Sequence, residues 1–108
     1  MARVATEDKV GCRTPAEGRD GVTNIPKWKF DVLRDAILTV LRDGDIRFSD
    51  LKPRLEAVLP EDVLNRLGSL GWHATCVKLE MEVRGEVARV EAKGPQIMML
   101  GRNAPKGQ

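Results

Sequence analysis

The sequence predicts an α+β domain of the winged helix-turn-helix type, with three main helices and a C-terminal β-hairpin. Apolar residues recur at helical spacing in two long segments, one early and one late in the chain. Shorter helical segments lie between them, and two β-prone runs separated by "KGP" follow the second long segment. This order of helix, extended link, helix, helix and hairpin is that of a winged helix, in which the hairpin forms the wing.

The 108 residues suffice for one domain, and 42% of them are hydrophobic. Residues 1–24 mix small, polar and charged types without a sustained period, which predicts a flexible N-terminal arm. Removal of residues 1–22 is expected to leave the melting temperature nearly unchanged. Residues 25–101 form the predicted winged-helix-like domain. Residues 102–108 are predicted to be a disordered tail.

The first helix is predicted over residues 27–42, capped by Thr23 or Asn24 and with Pro26 tolerated in its first turn. Gly44 is the expected terminator, because glycine adopts the left-handed conformation at helix ends. One apolar stripe is expected on this helix: Phe30, Leu33, Ile37, Val40 and Leu41.

Ile46 lies in a predicted short strand or extended link between charged neighbours. A second helix is expected to begin at Asp50 as its cap. Pro60 starts a further short helix, which Gly68 and Gly71 close.

The third main helix is predicted over residues 72–84, with Gly85 as its C-cap. Its buried stripe is predicted from steps of four, three and four, and consists of Trp72, Cys76, Leu79 and Val83, widened by Val77 and Met81. The residues expected to face solvent are His73, Thr75, Lys78, Glu80, Glu82 and Arg84. We expect one core to contain Leu33, Ile37, Leu55, Trp72, Cys76 and Leu79.

The segments "KWKFDVLRDAILTVL" and "GWHATCVKLEMEVRGEVARV" resemble a small uncharacterised family of bacterial winged-helix-like domains, over roughly residues 24–100. The resemblance implies a winged-helix-like fold and assigns no catalytic residue. The sequence departs from the family pattern at His73, where an aromatic residue is usual, and has a less basic outer helix face. The matching positions are Trp28, Arg34, Ala36, Ile37, Leu38, Gly71, Trp72, Val77, Leu79, Glu82, Arg84, Gly85, Val87 and Arg89.

Composition and motifs argue against several classes of function. Two distant cysteines, Cys12 and Cys76, and the single His73 do not make the set of about four ligands that zinc requires. Neither a phosphate-binding glycine loop nor a nucleophile-and-base set is present, so neither an enzyme nor a cofactor is expected. No apolar run approaches roughly 18 residues, and no apolar leader is visible, which favours a cytoplasmic protein without a membrane partner.

Two interpretations of the helix over residues 72–84 remain open. In the first, which is the leading hypothesis from the sequence, the protein is a DNA-binding or transcription-associated accessory protein. The helix then binds duplex DNA weakly, with candidate contacts from five residues: Thr75, Lys78, Arg84, Arg89 and Lys93. In the second, Lys78–Glu82 and Glu80–Arg84 are ion pairs on a solvated face.

In that second interpretation the domain is a protein-interaction or dimerisation module without nucleic-acid binding. The apolar run Ile97–Leu100 of the hairpin is then a candidate surface for a homodimer. The net charge of only +2 does not decide between the two interpretations. Convergence of the basic residues with Arg13 and Arg19 of the arm would favour DNA.

Overall fold

The computed structural model describes residues 9–13, 22–90 and 96–105, and within them the chain is α+β. Lys93 and the rest of the predicted hairpin tip lie outside the described residues, as does Arg19. The elements in chain order are β1 (Lys9–Arg13), β2 (Val22–Pro26), α1 (Lys27–Arg42), β3 (Ile46–Arg47), a 3₁₀ turn (Phe48–Asp50), α2 (Leu51–Val58), α3 (Glu61–Leu67), α4 (Leu70–Arg84), β4 (Val87–Val90) and β5 (Ile97–Leu100).

The strands form two small antiparallel sheets. The C-terminal hairpin that the sequence predicts is present as β4 and β5, with Val87 opposite Leu100 and Val90 opposite Ile97. The short strand β3 pairs with the other edge of β5, so the order of this sheet is β3–β5–β4. The second sheet consists of β1 and β2 and lies at the N-terminal end of the described chain.

The N-terminal hairpin differs from the flexible arm that we predicted for residues 1–24. Lys9–Arg13 pairs with Val22–Pro26, and this hairpin buries Cys12 and Ile25 to 3% and 1% exposure. Apolar and other residues alternate in β1 over only five positions, and Val22 and Ile25 of β2 are three positions apart, so neither pattern distinguishes a strand from a loop. At the other end, Ala104 of the predicted tail is partly buried against the core.

Helix α1 has the predicted bounds and an all but fully buried stripe. Its cap was predicted wrongly, because Thr23 and Asn24 are strand residues and Pro26 occupies the N-cap position. The helix packs against α4, α2 and both sheets. Its residues in the core are Phe30, Leu33, Ala36, Ile37, Leu38, Val40 and Leu41.

Helix α4 is rotated about its axis relative to our prediction. Its apolar residues that are buried are Leu70, Ala74, Val77 and Met81. Two residues of the predicted core stripe are exposed instead, Trp72 at 51% and Val83 at 36%, whereas Cys76 is half-buried against the core. Both stripes have steps of four, three and four, and an offset of two residues places them on opposite sides of a helix. Helical periodicity alone therefore could not choose between them.

Candidate functional site

The outer face of α4, which we define as Trp72, Cys76, Leu79 and Val83, is an apolar stripe with partial access to solvent. Leu79 is half-buried, Cys76 is half-buried and packs against the core, and Trp72 and Val83 are exposed. A stripe of this kind needs an explanation, since apolar side chains on one helix face are normally covered by another element or a partner.

The N-terminus of α4 holds Trp72 in place on this face. The Ser69 hydroxyl caps the helix by accepting a hydrogen bond of 3.3 Å from the Trp72 amide. The His73 ring lies edge-on to the indole at 4.8 Å between centroids, and its Nδ1 is 2.7 Å from the Ser69 carbonyl oxygen. The exposed indole is thus presented by a helix terminus whose backbone geometry is fixed.

Lys78, which we expected to face solvent, is buried to 2% exposure. Its ammonium group lies 2.6 Å from a Glu82 carboxylate oxygen and donates a 2.7 Å hydrogen bond to the Gln96 side chain. The same group lies 4.7 Å from the centre of the Phe48 ring. These contacts tie α4 to the segment that enters β5, and a phosphate would have to displace them to reach Lys78.

The other described residues that were predicted to contact DNA are Thr75, Arg84 and Arg89. The Thr75 hydroxyl donates to the Gly71 carbonyl oxygen at 2.8 Å, within its own helix. Arg84 donates to Glu80 at 2.8 Å and lies 4.7 Å from the Phe30 ring centre. Arg89 is an exposed residue of β4. The structure thus engages Lys78 and Arg84 in ion pairs, and it brings Arg84 close to Arg13 with the Glu80 carboxylate between them.

Glu80, which we also expected to face solvent, is 1% exposed and joins the N-terminal hairpin to α4. Arg13 donates to both its carboxylate oxygens, with Nε 3.0 Å from Oε1 and a terminal guanidinium nitrogen 2.8 Å from Oε2. The Arg13 backbone amide donates to Oε1 as well, at 2.9 Å. From the sequence we considered Arg13 only as a DNA contact. The two residues are 67 positions apart, and no local sequence pattern near either of them predicts that they pair.

The protonation of Glu80 follows from these contacts. Burial alone would raise the pKa of this carboxyl group, but the hydrogen bonds from Arg13 and Arg84 outweigh it. The result is a pKa lowered from 4.5 to about 2. The carboxylate therefore stays charged at neutral pH and acts as a fixed link between β1 and α4.

The run Ile97–Leu100, our candidate dimer surface, lies in the central strand of its sheet. Both edges of β5 are hydrogen-bonded, Met98 is fully buried, and the other three residues are half-buried. The sequence did not reveal that β3 covers the other edge of β5, and a homodimer through this run stays a prediction.

A second apolar surface is a shallow cleft of about 320 Å³ between α1 and the junction of α2 with α3. Val58 at the end of α2 contributes to its wall and is 45% exposed. The cleft also contains Asp35 and Thr39, so its lining mixes polar and apolar groups. It provides an exposed valine on a different helix, against which effects at the outer face of α4 can be compared.

Both cysteines are reduced and protonated at neutral pH. Burial, followed by the neighbouring Cys76, raises the pKa of Cys12 to about 11, and burial raises the pKa of Cys76. Across residues 9–13, 22–90 and 96–105, no group of three or more His, Cys, Asp or Glu side chains is placed to hold a metal ion. In the same ranges, no helix is both long and apolar enough to cross a membrane.

Comparison with known proteins identifies one family. Residues 9–98 match the model of a family of unknown function, DUF6958. This agrees with the resemblance to an uncharacterised domain family, and it extends the similarity to the N-terminal hairpin. Searches of curated proteins and of solved structures gave no match.

Proposed function

The chain belongs to the family of unknown function DUF6958, and we propose that it is a protein-interaction domain that binds through the outer face of α4 and does not read nucleic acid. The observation that carries this proposal is chemical. Among the described residues, Trp72 and Val83 on the outer face of α4 are exposed and Leu79 is half-buried, while Lys78 and Arg84 are held in ion pairs.

The order of the helices and strands also supports this proposal. The order of α1, β3, α2, α3, α4, β4 and β5, with β5 between β3 and β4, supports a winged-helix-like arrangement. In DNA-binding members of that class, the recognition helix inserts its outer face into the major groove. The equivalent face here is apolar, and groove binding would bury an indole and aliphatic side chains against polar base edges and phosphates.

The charges on α4 also argue against DNA binding by this helix. Each phosphate contact by Lys or Arg lowers log affinity by roughly 0.9 per unit of log salt concentration, and sequence-independent DNA affinity rests on several such contacts. The Glu80 and Glu82 carboxylates already pair with Arg84 and Lys78. Exchange of these partners for phosphate would leave two carboxylates beside the DNA backbone.

An exposed tryptophan is suited to protein recognition. Trp is enriched among the interface residues that contribute most of the binding energy, because it offers a large contact area with few rotatable bonds. Half of the Trp72 surface is accessible, and its position is fixed by the Ser69 cap.

Site-specific photo-crosslinking in cells that produce the protein tests this proposal. A photoreactive amino acid at position 72 should give adducts with protein, and Val83→Lys should abolish them because it places a charge on the same face. The same photoreactive residue at position 58, on the exposed surface of α2, is the matched control. Equal adducts at both positions, or none at position 72, would overturn the proposal.

A titration with mixed-sequence duplex DNA at low salt tests the DNA-binding alternative. We expect no binding by the wild type or by Arg84→Ala. Binding that weakens with salt, and weakens further in Arg84→Ala, would restore the interpretation of α4 as a recognition helix.

A further inference from the structure

We infer that the partner of the outer face of α4 is a second copy of this chain, bound through an antiparallel pair of α4 helices about a two-fold axis. This inference rests on the proposed function and specifies its partner. The first observation is the spacing. Trp72, Cys76, Leu79 and Val83 follow one another at steps of four, three and four, which is the a/d spacing by which two helices pack side chains into each other's gaps.

The second observation is that this stripe complements itself in one orientation. With two α4 helices antiparallel and the axis at the middle of the stripe, Trp72 of one copy lies opposite Val83 of the second. Leu79 then lies opposite Cys76, whose side chain is half-buried against the core of its own copy. Each large side chain meets a smaller one, as close packing requires. A parallel pair would instead place the two Trp72 indoles together at one end and the two Val83 side chains together at the other.

The third observation concerns charge. A two-fold interface brings identical surfaces together, so unbalanced charges beside the stripe would meet like charges. Here Glu82 is paired with Lys78, and Glu80 with Arg13 and Arg84, within one chain. The antiparallel arrangement also places Thr75 beside Glu82 of the second copy, so no pair of like charges arises along the rim.

The size of the outer face of α4 limits the expected affinity of the dimer. Helix α4 has 15 residues and is about 22 Å long. A contact centred on one such stripe belongs at the small end of protein interfaces, below about 1,200 Å² in total, where complexes are weak and transient. We therefore expect a monomer–dimer equilibrium that depends on concentration.

Sedimentation equilibrium of the full chain over a wide concentration range tests the inference. The wild type should pass from monomer to dimer as concentration rises. Trp72→Glu and Val83→Lys should each remain monomeric at concentrations where the wild type is mostly dimeric. Val58→Lys, at an exposed valine on α2, should dimerise like the wild type. Circular dichroism should show wild-type helix content for all three variants, since each changes an exposed side chain.

Orientation is tested by mixing the two charged variants. In the antiparallel pair the Trp72→Glu chain presents its new carboxylate to the new ammonium of the Val83→Lys chain, while the native Val83 and Trp72 meet at the other end. A mixture of the two should therefore form heterodimers although neither variant dimerises alone. A parallel pair offers no such rescue.

A wild type that is monomeric at all concentrations, or dimerisation that survives in Trp72→Glu, would overturn the inference. So would equal loss of dimer in Val58→Lys, or a mixture that stays monomeric. These outcomes are separable from failure of the proposed function. Adducts at position 72 to a protein of a different mass, from a chain that is monomeric by sedimentation, would retain the interaction face and remove only the second copy as its occupant.

Discussion

Arg13 of β1 donates three hydrogen bonds to the buried carboxylate of Glu80 on α4. Its guanidinium group donates to both oxygens, and its backbone amide donates to one of them. A bidentate guanidinium–carboxylate contact is among the stronger polar interactions in proteins. The pair joins β1 to α4, and Arg84 donates a further hydrogen bond to the same carboxylate. The N-terminal hairpin is therefore a part of the folded domain.

Replacement of Glu80 by Gln should destabilise the domain. The substitution keeps the size of the side chain but removes the charge that Arg13 and Arg84 share, and hydrogen bonds to charged groups contribute about 1.5–3 kcal/mol each. We expect a loss in that range in the free energy of unfolding measured by urea titration. Glu56→Gln, an exposed carboxylate on α2, is the control and should change it by less than about 0.5 kcal/mol. Equal effects of the two substitutions would contradict the structural role of Glu80.

Removal of residues 1–13 should lower the melting temperature, in contrast to the expectation from the sequence. The deletion takes away Arg13, the buried Cys12 and the strand that pairs with β2. A loss of only 1 kcal/mol lowers the melting temperature of a domain of this size by about 4–8 °C. Removal of residues 1–8 leaves Arg13 in place and is the matched control. An unchanged melting temperature for the longer deletion would mean that β1 contributes nothing to stability.

Stability should fall in acid because of Glu80. Its pKa in the folded chain is about 2, below the ordinary value of 4.5, so the unfolded chain binds a proton that the folded chain does not between these values. The contribution of Glu80 is therefore complete above pH 4.5 and is lost progressively toward pH 2. The difference in unfolding free energy between the wild type and Glu80→Gln should shrink over this interval. A difference that is independent of pH would show that the carboxylate has its ordinary pKa.

Two valines of α4 test the rotation of the helix. Val77 is fully buried and Val83 is 36% exposed, although the two side chains are identical. Val77→Ala should cost about 2 kcal/mol or more, from lost burial and the cavity left behind. Val83→Ala should cost less than about 0.5 kcal/mol at concentrations where the chain is monomeric. The reverse order in denaturant titrations would support the orientation that the periodicity suggested.

A pair of glycines tests the junction between α4 and the C-terminal segment. A Cβ atom on Gly101 would collide with the Gly85 carbonyl group, which is backbone and has no room to move. Gly101→Ala should therefore destabilise the chain by about 1–3 kcal/mol. Gly71 lies within α4 with only Lys52 near its open side, so Gly71→Ala should stabilise it by about 0.4–1 kcal/mol. Melting curves that move in the same direction for both would contradict this assignment.

Local signals in the sequence were sufficient for most of the elements. The stripe from Phe30 to Leu41 predicted α1 with its observed bounds. Pro60 marked the start of α3, and Gly85, at a φ of 82°, closed α4 as a left-handed cap. The turn signal after Val90 correctly predicted the β4–β5 hairpin. Caps, turns and periodicity are set by residues a few positions apart, so they can be read along the chain.

The tertiary structure alone decided which side of α4 is buried. Two stripes of equal spacing compete on this helix, and the one with Ala74, Val77 and Met81 fits against α1. Its position then forces Lys78 and Glu80 to the buried edges, where distant partners neutralise them. Gln96 and Arg13 supply these partners from 18 and 67 positions away, and no local pattern encodes such a distance. The sequence determined that α4 is a helix with two apolar stripes, of which the core can bury only one. The packing of the core determined that the stripe carrying Trp72 is the one outside it.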